Sequence, residues 1–61
     1  MIDVAYLRRD LMDYFGTAKE ANPAATIDLV QVEQGDLYVL IAIAERLGFD
    51  LENYVVDFDG D

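Results

Sequence analysis

The chain has 61 residues, 54% of them hydrophobic, no cysteine, no histidine and a formal net charge of −9. That length makes one domain near the lower limit for folding alone, and the missing cysteine and histidine exclude disulfide staples and the usual soft-metal sites. The charge lies mostly in residues 28–61, where nine acids face Arg46 alone, and it leaves no basic footprint for direct binding of nucleic acid.

Asp3 can cap a first helix. Behind it Val4, Leu7, Leu11, Tyr14, Phe15, Ala18 and Ala21 fall within about 120° of one another on a helical wheel. Arg9, Asp13, Gly16 and Glu20 take the far side, and Arg9 with Asp13 has the spacing of an i,i+4 ion pair. The pattern keeps phase through Gly16, so one helix of about 18 residues is expected. A kink or an early end at Phe15 is its alternative, because glycine costs about 1 kcal/mol against alanine there.

Asn22-Pro23 can end one helix and start another, with Asn22 as cap and Pro23 in the first turn. Ala25, Leu29 and Val32 would then line one face of a short second helix. The β-branched Thr26, Ile27, Val30 and Val32 support a competing reading, in which residues 27–32 form a strand paired with 54–58.

Gly35 to Phe49 is the longest apolar stretch. Leu40, Ile43, Ala44 and Leu47 make one helical face, flanked by Val39 on one side and by Leu37 and Ile41 on the other. Tyr38, Glu45 and Arg46 lie opposite. An apolar arc of about 200° is wider than one contact surface needs, so this helix is expected to touch two neighbours. Gly35 serves as N-cap in this reading and Asp36 suits the first turn. Gly48 fits the left-handed position at the end, with Phe49 folding back on Ile43 or Ala44.

Asp50 can cap a last turn whose Leu51 and Tyr54 close over the core, and residues 55–61 form an acidic tail. The expected fold is all-α, a single domain over 1–61 of three helices and a short C-terminal helical turn. The alternative is α+β, with the 27–32 and 54–58 pairing. No positively charged leader precedes an apolar core, and the run Leu37–Ala44 is far below the roughly 20 residues of a membrane span. The reading is therefore cytoplasmic, without membrane contact.

Several of these residues also carry a resemblance. Asp10-Leu11, Asp13 to Ala18, Pro23, Ala25, Asp28-Leu29, Val32-Glu33, Ile43-Ala44, Gly48 to Leu51 and Tyr54 resemble a group of small uncharacterised proteins of Gram-positive bacteria. That group usually opens the central helix with an acidic stretch such as Ser-Asp-Glu-Glu, where Gly35-Asp36-Leu37-Tyr38 stands here. The resemblance implies a small helical bacterial protein. It implies no activity and carries over no site.

Catalysis is not expected. Nucleophilic chemistry lacks its parts, since Lys19 is the only lysine and neither Thr17 nor Thr26 has a base beside it. Asp10 and Asp13 lie three apart on the polar side of a helix, where an acid/base pair has no support. Asp57-Phe58-Asp59-Gly60-Asp61 matches the first five positions of a calcium loop but lacks the later glycine and glutamate, so a solvated tail and no metal or cofactor are expected. Arg8 and Arg9 are expected in ion pairs with Asp13 or the acidic C-terminal half.

Tyr14, Phe15 and Phe49 are assigned to the core, whereas Tyr6 and Tyr38 fall on polar faces. Tyrosines beside apolar flanks are favoured interface anchors, so Leu37, Tyr38 and Ile41, with Tyr6, form the candidate partner-binding set. The leading functional expectation is a protein-interaction or regulatory module, acting as a homo-oligomer (a homodimer first) or by holding a partner helix. The alternative is an acidic decoy that fills the basic groove of a nucleic-acid-binding protein.

Overall fold

The computed structural model describes residues 1–56. Within them the chain is all-α: helix α1 (Val4–Ala18), helix α2 (Ala25–Gln34), helix α3 (Leu37–Leu47) and a single 3-10 turn (Leu51–Tyr54). The Asp57–Asp61 motif lies outside the described residues.

The start of α1 follows its sequence. Asp3 is extended, and its Oδ1 accepts a hydrogen bond from the Tyr6 N–H at 3.1 Å. The helix passes through Gly16 and ends at Ala18, three residues before the expected limit. Pro23 accounts for the shortfall, because its ring disfavours helical backbone at Asn22 and the chain must turn before it. Ala21, expected on the core face, is left exposed in that turn.

Residues 25–34 are helical, as the first of the two readings has it. Asn22 lies two residues before the N-cap, Ala24, and Pro23 precedes the helix instead of opening it. Its Oδ1 accepts from the Ala24 N–H at 3.2 Å, and the Ala25, Thr26 and Ile27 N–H groups bond to the carbonyls of Asn22, Pro23 and Ala24. These tight i→i+3 bonds satisfy the donors that a helix start leaves open. The extended residue after the 3-10 turn, Val55, does take a strand-like mate, but it is the N-terminus. Ile2 and Val55 form an isolated antiparallel bridge, flanked by Asp3 N–H to Tyr54 O and Val56 N–H to Met1 O, both 2.7 Å. The start of the acidic tail is thus tied down.

Asp36, not Gly35, caps α3, its Oδ1 accepting from the Val39 N–H at 3.1 Å. Gly35 is required for another reason. A Cβ there would lie 2.6 Å from both the Gln31 carbonyl oxygen and Val39 Cγ1. At the far end Gly48 is left-handed with φ 83°. The Gly48 N–H donates to Glu45 O at 3.1 Å and the Phe49 N–H to Ala44 O at 2.9 Å, the two bonds of a Schellman closure. Asp50 then caps the last turn through the Glu52 N–H.

Leu7, Leu11 and Phe15 of α1 meet Ala25 and Val32 of α2, Leu40, Ile43 and Ala44 of α3, and Tyr54. Leu7, Leu11, Val32 and Leu40 are fully buried. Burying each such side chain contributes about 1.5–3 kcal/mol, so this cluster is the main stabilising term.

The arginines differ from expectation. Arg8 donates to the Gly35 carbonyl at 3.0 Å instead of meeting a carboxylate, which places a cation at the negative end of α2. Its Nε is buried without a hydrogen-bond partner. Among the described residues the one ion pair within 4.0 Å is Arg46–Asp28, at 3.5 Å across α3 and α2, and no Arg9–Asp13 pair forms. An exposed pair recovers little Coulomb energy against the entropy of fixing two long side chains, so nothing compels the contact.

Candidate functional site

Two surfaces stand out. The first is the outer face of α2 and α3. The arc of α2 that cannot reach the core presents Ile27, Val30, Gln31 and Gln34, spaced one helical turn apart and uncharged. Ile27 is 66% exposed. The corresponding arc of α3 presents Tyr38, Val39 and Ala42 in its first two turns and confines its charges, Glu45 and Arg46, to the last. Tyr38 is 78% exposed. Between the helices, Gln31, Gln34, Gly35 and Val39 line a shallow depression of about 430 Å³.

The second surface is a groove of about 580 Å³ between α1 and the segment that follows α3. Tyr14 and Phe49 form its aromatic wall, with ring centroids 5.8 Å apart and planes at 87°. Asp10, Asp13 and Thr17, about one turn apart on the same helix as Tyr14, supply the polar part of its lining. Tyr54 closes one end, its hydroxyl donating to Asp10 Oδ2 at 2.7 Å. Burial, then the hydrogen bond and the charge of Asp10, push the Tyr54 pKa up to about 12.

The candidate partner-binding residues separate. Tyr38 stands on the outer α3 face, while Leu37 and Ile41 beside it are half-buried. Tyr6 lies elsewhere, half-exposed with its ring 5.1 Å from that of Tyr54. It therefore packs on the C-terminal turn and does not belong to the α3 flank. Tyr14, assigned to the core, is 45% exposed and lines the groove. A position about 60° off the midline of the Leu7–Leu11–Phe15 stripe leaves it at the edge of burial, and that offset is the signal that could have found it.

No group of three or more aspartate or glutamate side chains among the described residues is gathered closely enough to hold a metal ion. No described helix is long and apolar enough to cross a membrane. The chain matches no family model, no curated protein and no solved structure.

Proposed function

We propose that this protein is a small protein-interaction module that self-associates through the outer face of α2 and α3. The observation that carries the reading is Tyr38, which lies almost fully open beside Val39 on a helix whose other side is already packed. Ile27 and Val30 continue the apolar surface onto α2. Burying such a surface yields about 25 cal/mol per Å², before the costs of association are deducted. A 61-residue chain without staples gains most from that route. The resemblance to small proteins of Gram-positive bacteria adds no competing activity.

A second copy suits the surface because its charges are confined to one end, where Arg46 pairs with Asp28 beside Glu45, on a molecule of net charge −9. Most of the remaining charge is acidic, so many other approaches of two copies are opposed by repulsion. Size-exclusion chromatography with light scattering at high micromolar concentration tests the reading. We expect a mass above the 6.9 kDa of one chain, rising with salt as repulsion is screened, and a return to one chain in Ile27→Gln/Tyr38→Gln. A 6.9 kDa species at every concentration and salt would remove the proposal. The acidic-decoy reading makes the opposite salt prediction, because charge-driven capture of a basic partner weakens as salt rises.

A further inference from the structure

We propose that the groove between α1 and the residues after α3 holds an arginine side chain of a partner protein. The site is separate from the self-association face, and its chemistry is of a different kind. Its wall is aromatic, with Tyr14 and Phe49 set edge to face and Tyr14 about half open to solvent. Its rim is anionic, with Asp10 and Asp13 one turn apart on α1. A flat cation with an apolar stem fits both features together. Its planar face stacks on a ring, and its forked donors reach carboxylate oxygens.

The carboxylates are placed for this and are not consumed by the fold. Asp13 is exposed and has no cation within ion-pair distance among the described residues, although Arg9 lies one turn away. Asp10 uses one oxygen to accept from the Tyr54 hydroxyl, which fixes the orientation of the carboxylate and leaves its second oxygen uncommitted. A free anion is repelled by this rim. A lysine carries a compact, strongly hydrated charge that stacks less well than guanidinium. The net charge of −9 steers a basic partner segment towards the molecule, and the groove is where a single side chain can settle.

The test is NMR titration of the full chain with the peptide acetyl-Gly-Arg-Gly-amide, beside the same peptide carrying citrulline or lysine in place of arginine. The arginine peptide should shift Tyr14, Thr17 and Phe49 resonances saturably. Its dissociation constant should be on the order of a millimolar, because one exposed ion pair and one stacked cation each contribute modestly. Citrulline should give no saturable shift, and lysine should bind several-fold more weakly. Tyr14→Leu should weaken the arginine peptide about fivefold, and Asp13→Asn, at an exposed position, about threefold. Equal shifts from arginine and citrulline would overturn the assignment, as would lysine binding as well as arginine. So would perturbation centred on other acidic surfaces, or an affinity unchanged in Asp13→Asn.

Discussion

Helices α1 and α2 are both rich in apolar residues, yet they dispose of them differently. In α1 the apolar side chains recur at i, i+4 and i+8, and Leu7, Leu11 and Phe15 all vanish into the core. In α2 the buried residues are Ala25 and Val32, while Ile27 and Val30 remain exposed among the described residues. Helix α1 spends its aliphatic stripe on folding, leaving only Tyr6 and Tyr14 about half exposed, whereas α2 keeps part of its aliphatic surface outside. The difference teaches that the surplus lies where one element has a single covered side. That surplus continues onto the first two turns of α3.

Substitutions can break or sharpen that contrast, beginning with the largest effect. Leu11→Ala should cost about 2–5 kcal/mol, because it opens a cavity at a fully buried site. A chain of 61 residues has roughly 3–9 kcal/mol to lose, so urea titration followed by circular dichroism should find this variant unfolded or nearly so. Ile27→Gln, on the outward side of α2, should change stability by no more than about 0.5 kcal/mol in the same titration at a concentration low enough to keep the chain monomeric. Equal losses at the two positions would erase the distinction.

Gly35→Ala comes next, at about 1–3 kcal/mol, since the added Cβ must displace either the Gln31 carbonyl or Val39. A thermal melt reads it. A neutral result would show that the α2–α3 corner yields easily and that Val39 is less fixed on the outer face than its packing against Gly35 implies.

Tyr54→Phe should cost about 0.5–1.5 kcal/mol by removing the hydrogen bond to Asp10. It should also change the pH profile. The folded-state pKa of Tyr54, about 12, lies above the ordinary value of 10.0, so its contribution is fully present below about pH 10 and is lost as pH rises towards 12. Denaturation at pH 8, 10 and 11.5 should show this decline in the native chain and a shallower one in Tyr54→Phe. The smallest effect belongs to Arg46→Ala. Its exposed pair with Asp28 should contribute about 0.5 kcal/mol or less, and less again in high salt.

Much of the frame was legible in the sequence because it is local. Asp3, Asp50 and Gly48 act within a few residues of themselves, and the α1 stripe is set by helical spacing alone. At Asn22 the capping chemistry was visible, but whether its side chain would meet the first turn of α2 or the turn before it depends on how Pro23 bends the chain. Non-local contacts were not legible. The mate of Val55 is Ile2, more than fifty positions away, and no pattern in either segment names the other. The groove was missed for the same reason, since Tyr14 and Phe49 meet only after α3 has folded back beside α1.

The most direct measurement is an isotope-filtered NOE experiment on an equal mixture of labelled and unlabelled chain at high micromolar concentration. We predict contacts between copies that join the Tyr38 ring to the methyl groups of Ile27, Val30 or Val39. Their absence, or contacts between copies confined to other faces, would contradict an association surface on the outside of α2 and α3.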